Sequence, residues 1–321
     1  MNRPHKLNLM LFGGVASQFE SVVRESYPGV SVSLRSRRNI SDADCAGVRA
    51  LIGWKFPSGI FARMPNLEWI QSVGVGVDDW IFDPTLQTKV KVSNPKGIYA
   101  EPVAEYVIWS LLTLFRRFHT AIQNQGRRRW VQIGGSGLAG KTLGVAGMGS
   151  IGNAVARRAA SFQMRVVGIV RDADNHIPQA DVHKTVSYTD LEDVLGELDA
   201  VVICLPLTND TRALFSKEVF HNMKRGAIVV NVAREGVADY SGLRDAVRSG
   251  HLAGAALDVF DKEPLRPWSR LWSVDGILIT PHVSAITDEY KATVANLISE
   301  NIDRFLNQRP LLGVVDRDKG Y

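Results

Sequence analysis

Three residues with catalytic chemistry follow apolar runs that are typical of buried strands. Arg234 ends the run AIVVNVAR, Glu263 lies just beyond GAALDVF, and His282 follows GILITP. A guanidinium binds carboxylates, an imidazole exchanges protons near neutral pH, and a carboxylate can orient the imidazole ring. Because the carboxyl ends of parallel strands share one edge of a sheet, we expect these three side chains to face the same crevice.

A glycine motif predicts a nucleotide at that edge. The run TLGVAGMGSIGNAVARRAA has a strand pattern, then a helix pattern, and between them Gly147, Met148, Gly149, Ser150, Ile151 and Gly152. Glycines at this spacing allow a tight turn and a close approach of a pyrophosphate to the helix N-terminus. We interpret the motif as a dinucleotide-binding loop, although glycines also occur in ordinary tight turns.

The choice of dinucleotide depends on the residue that ends the next strand. RVVGIVRDAD places Val170 last and Arg171 directly after it, where NAD-binding domains carry an acidic residue for the ribose. A guanidinium at this point can pair with a 2′-phosphate, so we expect NADP(H). NAD(H) is the alternative, with Asp172 on the ribose and Arg171 in solvent.

Strand patterns alternate with helix patterns through almost the whole chain, which is typical of parallel α/β sheets. One series of strands lies in the first hundred residues, and a second runs from KTLGVAG to GILIT. Between them, residues 101–125 show one long, largely apolar helical pattern. Another helix, over 288–306, is expected to return to the first domain. We therefore predict an α/β protein of two doubly wound parallel-sheet domains.

Composition limits the class of protein. The 321 residues are 45% apolar and 22% charged, an ordinary globular balance, and the net charge of +5 is too small to indicate nucleic-acid binding. No run approaches the roughly 20 apolar residues of a membrane span. Cys45 and Cys204 are expected to be free thiols in a reducing compartment, hence a cytoplasmic location. The run MNRPHKLNLMLFGGVAS predicts a first strand, with a weak secretory signal as the alternative.

The chain resembles the D-isomer-specific 2-hydroxyacid dehydrogenase family, and within it the glyoxylate/hydroxypyruvate reductase branch. The motifs that carry the resemblance are SVGVGVDD (72–79), NPKGIYAEPVAEY (94–106), GMGSIG (147–152), CLPLT (204–208), NVAREG (231–236), LDVFDKEP (257–264) and TPHVSA (280–285). Glu235 departs from the family, which usually has glycine after the arginine. The resemblance implies a Rossmann cofactor domain over 99–283 and a flavodoxin-like substrate domain over 1–98 plus 284–321.

The resemblance also implies the reaction and the roles of residues. A nicotinamide cofactor would exchange a hydride with a small 2-oxo or 2-hydroxy acid, as in NADPH-dependent reduction of glyoxylate or hydroxypyruvate. Arg234 and the backbone N–H groups of Val75 and Gly76 would bind substrate, His282 would give the proton, and Glu263 would favour its charged ring. We expect no bound metal. We expect the protein to form a homodimer. Further cofactor contacts would come from Arg171, Leu205, Pro206, Thr211, Val232, Ala233 and Asp258; for Asp258, a structural role at the strand end is the alternative.

Three other functions stay open at this point. The first is a nucleotide-sensing scaffold on the same fold, such as a corepressor relative. The second is nucleic-acid binding through RRFHTAIQNQGRRRW, with its five arginines, although a solvated face or a subunit-contact arm is the preferred interpretation. The third is an NAD-linked dehydrogenase that works in the oxidative direction. We expect a small-molecule substrate as the partner, and neither nucleic acid nor membrane.

Overall fold

The computed structural model describes residues 7–176, 181–318 and 320. The chain divides into two compact units, Met1–Ile98 with Thr287–Tyr321 and Tyr99–Ile286. The domain bounds expected from the sequence, 1–98 plus 284–321 and 99–283, stay a prediction. The β-strands, numbered along the chain, are β1 (Asn8–Phe12), β2 (Ser31–Arg35), β3 (Ala50–Gly53), β4 (Trp69–Ser72), β5 (Lys91–Ser93), β6 (Thr142–Ala146), β7 (Arg165–Val170), β8 (Lys184–Ser187), β9 (Ala200–Ile203), β10 (Ile228–Asn231), β11 (Gly254–Leu257) and β12 (Ile277–Ile279).

The α-helices, numbered along the chain, are α1 (Gly14–Ser17), α2 (Glu20–Ser26), α3 (Asp42–Ala46), α4 (Ala100–Phe115), α5 (Phe118–Gly126), α6 (Ser150–Ser161), α7 (Glu192–Leu195), α8 (Lys217–Asn222), α9 (Tyr240–Arg248) and α10 (Tyr290–Leu306). Both units contain short helices of four to seven residues, and the longer helices are α4, α5, α6 and α9 in the second unit and α10 in the first. Among the residues that the structure describes, no helix has both the length and the apolar character needed to cross a membrane.

The first unit is built on a five-stranded parallel sheet in the order β2-β1-β3-β4-β5. This is the strand order of flavodoxin-like folds. The predicted return of the last helix is confirmed, because α10 packs in this unit. Its buried Asn301 donates to Gln71 Oε1 at 2.8 Å and accepts the Leu312 N–H at 2.8 Å.

The second unit is built on a seven-stranded parallel sheet in the order β12-β11-β10-β9-β6-β7-β8. The central strands are fully buried along their length, as expected for a parallel sheet covered on both faces. The strand order reverses between β6 and β9, which is the point at which doubly wound sheets bind ligands. The predicted pair of doubly wound parallel-sheet domains is confirmed.

The helical pattern over 101–125 is not one helix, as the sequence suggested, but two. Helix α4 ends at Phe115, and Arg117 takes a left-handed conformation with φ of 56° before α5 begins. The carbonyl of Phe115 accepts the N–H of Ser136 at 2.9 Å instead of continuing the helical ladder. The chain that returns after α5 therefore ends α4, and a periodicity argument cannot detect this contact.

Candidate active site

The parallel strands of the second unit bring all the predicted site residues except Val75 and Gly76 to one edge of the sheet. All neighbouring strands run in the same direction, so every strand has its carboxyl end at that edge. The segments that follow the strands there are the glycine loop after β6, Arg171 after β7, Cys204–Thr211 after β9, Arg234 after β10, Asp258 and Glu263 after β11, and His282 after β12.

The glycine loop has the geometry that a pyrophosphate requires. Gly147 has φ of +97°, and a Cβ atom on Gly152 would lie 1.9 Å from the Gly147 carbonyl oxygen, so neither position accepts a side chain. A Cβ on Gly149, which precedes α6, would meet no atom within 4 Å. Helix α6 has no side-chain cap and no acidic residue in its first turn, so its first N–H groups are available to an anion. These residues fit a bound dinucleotide.

Two charged residues follow β7: Arg171, and Asp172, whose carboxylate accepts hydrogen bonds within its own turn. The Arg171 guanidinium lies 3.5 Å from the Asp210 carboxylate, and both side chains are half exposed. The Asp172 carboxylate accepts the N–H groups of Asp174 and Asn175 within its own turn, and its hydrogen bonds with Asn175 hold the pKa of Asp172 below its usual range. The Asp172 carboxylate, which would bind the ribose if the cofactor were NAD(H), is thus already hydrogen-bonded within its own turn.

The loop after β9 is held by hydrogen bonds between its own residues. The Thr211 hydroxyl donates to the Pro206 carbonyl at 2.6 Å and accepts the Thr208 N–H at 2.9 Å. Leu205 is buried, and burial raises the pKa of the Cys204 thiol to about 12 although the residue is partly accessible. The cofactor contacts expected from Leu205, Pro206 and Thr211 stay predictions.

A buried asparagine shapes the loop that carries Arg234. Asn231, the last residue of β10, donates to the Arg234 carbonyl at 3.0 Å and accepts the Ala233 N–H at 2.9 Å. The Arg234 guanidinium itself donates to the Ala233 carbonyl at 2.8 Å. The Val232 N–H donates to the Ile203 carbonyl of β9. Asn231 was not among the predicted site residues; a polar residue inside the apolar run AIVVNVA is the signal that could have found it.

Glu263 and His282 are directly hydrogen-bonded. His282 Nδ1 lies 2.9 Å and 3.0 Å from the two carboxylate oxygens of Glu263, and the Phe260 N–H donates to Glu263 Oε1 at 3.1 Å. Since an ionised carboxylate only accepts, Nδ1 carries a proton. The ring nitrogen that can exchange a proton with a substrate is therefore Nε2.

A buried carboxylate holds the turn on which His282 lies. His282 has φ of 56°, a left-handed conformation that is unfavourable for most side chains. The fully buried Asp258 accepts the Thr280 hydroxyl at 2.6 Å and the N–H groups of Val283 and Ser284, each at 2.9 Å. Asp258 thus has the structural role that the sequence left as an alternative, and its contact with a cofactor stays a prediction.

The same turn is tied to the long helix α4. The Tyr106 hydroxyl lies 2.8 Å from the Thr280 hydroxyl. Burial raises the pKa of Tyr106 to about 12, so the phenol stays protonated and hydrogen-bonded over the working pH range. Neither Tyr106 nor Thr280 stood out in the sequence, because a hydroxyl pair between residues so distant along the chain leaves no local pattern.

Val75 and Gly76 lie in the first unit, on the loop that follows β4 of the five-stranded sheet. The Asn94 side chain donates to the Val75 carbonyl at 2.7 Å, and its oxygen accepts the Lys96 N–H at 3.2 Å. These bonds fix the backbone of the loop. The substrate contacts expected from the two N–H groups stay predictions.

A doubly wound sheet with a glycine loop and an Arg–Glu–His set at one edge defines a nicotinamide-dependent dehydrogenase of hydroxy acids. The sequence profile of the family described as "D-isomer specific 2-hydroxyacid dehydrogenase, NAD binding domain" matches residues 108–284. The chain belongs to this family of oxidoreductases, as its motifs indicated.

Relatives with different substrates are similar to this chain. It is 32% identical over 270 residues to a glyoxylate reductase of Korarchaeum cryptofilum, over 82% of this chain and 80% of the relative. It is 33% identical over 271 residues to an (S)-sulfolactate dehydrogenase of Chromohalobacter salexigens, over 82% and 86%. Among solved structures, an NADPH-dependent glyoxylate/hydroxypyruvate reductase from Sinorhizobium meliloti in complex with NADP and sulfate matches with a TM-score of 0.85 at 28% identity, over 98% of this chain and 100% of that chain.

Proposed function

We propose that this protein reduces glyoxylate, hydroxypyruvate or a related 2-oxo acid with NADPH as the hydride source. The observation that carries the proposal is the 2.9 Å bond between His282 Nδ1 and Glu263, at the sheet edge that also carries Arg234 and the glycine loop. An imidazole held in this way is a proton donor with a fixed orientation. Membership of the 2-hydroxyacid dehydrogenase family supports the same chemistry.

Each residue has a defined task in the proposed reaction. Arg234 binds the substrate carboxylate, and such a charge-assisted hydrogen bond contributes about 1.5–3 kcal/mol. His282 gives a proton from Nε2 to the carbonyl oxygen as that oxygen gains negative charge, while Glu263 accepts the hydrogen bond from Nδ1 and fixes the orientation of the ring. The glycine loop and the N-terminus of α6 hold the pyrophosphate. A bound nicotinamide supplies the hydride.

The preference for NADPH rests on the end of β7. Val170 is neutral, and the Arg171 guanidinium can exchange its contact with Asp210 for a 2′-phosphate, a doubly charged partner that it can bind through two donors. Asp172 is engaged within its own turn. The reductase from Sinorhizobium meliloti, which is similar over nearly the whole chain, has NADP bound.

Steady-state assays with a panel of 2-oxo acids and both cofactors test this proposal. We expect turnover of glyoxylate or hydroxypyruvate with NADPH and a lower kcat/KM with NADH. Arg171→Ala should raise the KM for NADPH by about 10–150-fold, the equivalent of one charge-assisted bond, and leave the KM for NADH nearly unchanged. Arg165→Ala is the matched control, because Arg165 begins the same strand at the opposite edge of the sheet.

Two results would contradict the proposal. Binding of NADPH without turnover of any 2-oxo acid would instead favour the nucleotide-sensing scaffold. A preference for NADH, unchanged in Arg171→Ala, would exclude the role given to Arg171 and leave the NAD-linked dehydrogenase.

We further propose that the protein is a homodimer and that it works in the cytoplasm. Large apolar side chains are exposed close together along the chain on α4, on α5 and just after them, with Trp130 98% and Ile122 64% exposed. Exposed apolar surface of this kind is typical of protein interfaces, and a second copy would cover it. Neither Cys45 nor Cys204 forms a disulfide, which is consistent with a reducing compartment.

A further inference from the structure

Glu235 occupies the position directly after Arg234 where the family usually has glycine. Its side chain is half-buried, and Oε2 accepts the Asp261 N–H at 2.7 Å. Asp261 belongs to the loop after β11, whereas Glu235 begins the turn after β10. The bond therefore joins the two loops that carry Arg234 and Glu263. A glycine has no side chain to make it.

The loop after β11 is held by two carboxylates in succession. The Phe260 N–H donates to Glu263 within the loop, at 3.1 Å, and the next N–H, that of Asp261, donates to Glu235 from the neighbouring loop. Strands β10 and β11 are paired in register from Ile228 opposite Gly254 to Asn231 opposite Leu257. Beyond the last paired residues of the two strands, the hydrogen bond from the Asp261 N–H to Glu235 joins the loops that follow β10 and β11.

The electrostatic surroundings do not explain a glutamate at this position. Burial raises the pKa of Glu235, and repulsion from Asp261 and Glu263 adds to the shift, while the Asp261 N–H opposes it. A carboxylate beside two others is unfavourable unless it makes a contact that compensates for the repulsion. The hydrogen bond from the Asp261 N–H is that contact. The stabilising effect of Glu235 is therefore the connection that it makes between the two loops.

We propose that Glu235 is a positioning residue, which ties the Arg234 loop to the Glu263 loop and thereby holds Glu263 on Nδ1 of His282. The consequence for catalysis rests on the proposed function. The tie itself does not, and it can be measured in a protein with or without activity.

Amide hydrogen exchange followed by NMR tests the tie directly. Glu235→Ala removes the acceptor, and Glu235→Gln keeps an oxygen that can accept the Asp261 N–H. We expect the Asp261 amide to exchange about 10-fold faster or more in Glu235→Ala, because this variant loses a hydrogen bond to a charged group. In Glu235→Gln its rate should stay near that of the wild type. The Val229 amide, in the core of β10, serves as the internal reference for global unfolding.

Two further variants complete this experiment. Glu218→Ala is the matched control, because Glu218 is exposed on α8 of the same unit and accepts the hydroxyl of Ser216, the N-cap residue of that helix. It should leave the exchange rate of Asp261 unchanged. Glu235→Asp keeps the charge but shortens the side chain. It should also speed exchange at Asp261, and it gives the answer if the alanine variant does not fold. Unchanged Asp261 exchange in folded Glu235→Ala or Glu235→Asp would overturn the tie.

The His282 ring tests the positioning role. In Glu235→Ala, the ¹⁵N signals of the ring should move towards those of Glu263→Ala, and kcat should fall about 10-fold, a part of the 10²–10⁴ that acid–base catalysis supplies, with a smaller change in KM. Glu235→Gln should restore both. Faster Asp261 exchange with unchanged ring signals would overturn the positioning role. An inactive wild type would contradict the proposed function alone, because the exchange and the ring signals still decide the role of Glu235.

Discussion

At the scale of single residues, the geometry of His282 depends on two carboxylates with different tasks. Glu263 binds Nδ1 and sets which ring nitrogen can exchange a proton. Asp258 accepts the Thr280 hydroxyl before the ring residue and the backbone N–H groups of Val283 and Ser284 after it. A left-handed residue other than glycine costs about 1–2 kcal/mol, which the bonds to a buried carboxylate, about 1.5–3 kcal/mol each, can offset. The ring is therefore fixed both through its backbone and at Nδ1, and Nε2 is the nitrogen that can exchange a proton.

The raised pKa of Glu235 predicts how pH affects stability. A carboxyl group whose pKa is raised by folding stabilises the folded state below the unfolded pKa, and this contribution is lost as pH rises through the folded pKa. Glu235→Gln stays uncharged but keeps an acceptor for Asp261. We therefore expect its free energy of unfolding, relative to the wild type, to increase between pH 4 and pH 7 in urea titrations.

Glu218→Gln is the control of opposite sign for this measurement. The Ser216 hydroxyl lowers the pKa of Glu218, so the stability that Glu218 contributes is present above the unfolded pKa and is lost as pH falls. Relative to the wild type, Glu218→Gln should lose stability from pH 4 to pH 7. A constant difference for Glu235→Gln over the same range would show that the Glu235 carboxylate is not destabilised by burial and by repulsion from Asp261 and Glu263.

At the scale of elements, the sequence predicts which residues follow the carboxyl ends of the strands better than it predicts the number of strands in each sheet. Apolar runs that end in Arg234, Glu263 and His282 were sufficient to place the three residues after parallel strands, because strand direction decides where their ends lie. The edge strands β5 and β8 were not predicted. They have three and four residues, and each begins with lysine, so they lack the apolar run that marks a buried strand.

Contacts between elements account for what the sequence could not predict at the site. The Asp261–Glu235 bond joins residues 26 positions apart, and the Tyr106–Thr280 bond joins residues 174 apart. The Asn301–Gln71 bond crosses 230 positions. Periodicity and turn chemistry concern neighbours along the chain, so such pairs appear only when the fold brings them together. The same reason explains the missed end of α4 at Phe115.

At the scale of the whole molecule, the exposed apolar side chains predict a second copy. Sedimentation or light scattering should give a mass of twice 35.4 kDa. Ile122→Glu, which puts a charge at a 64% exposed position, should shift the protein to the monomer by making burial of that surface unfavourable. Phe82→Glu is the matched control, because Phe82 is similarly exposed but lies in the first unit. A wild-type monomer at micromolar concentration would contradict the homodimer.

We propose for His282, oriented by Glu263, the role of proton donor in a hydride-transfer reaction. Its most direct test compares turnover and cofactor binding in His282→Asn, since asparagine tolerates the left-handed backbone of this position. We predict that kcat falls by about 10²–10⁴-fold while the Kd for NADPH, from fluorescence titration, stays within about 3-fold of the wild type because the cofactor is held by other residues. His221→Asn, which changes an exposed histidine on α8, should retain full activity. Wild-type turnover in His282→Asn would contradict this role of His282.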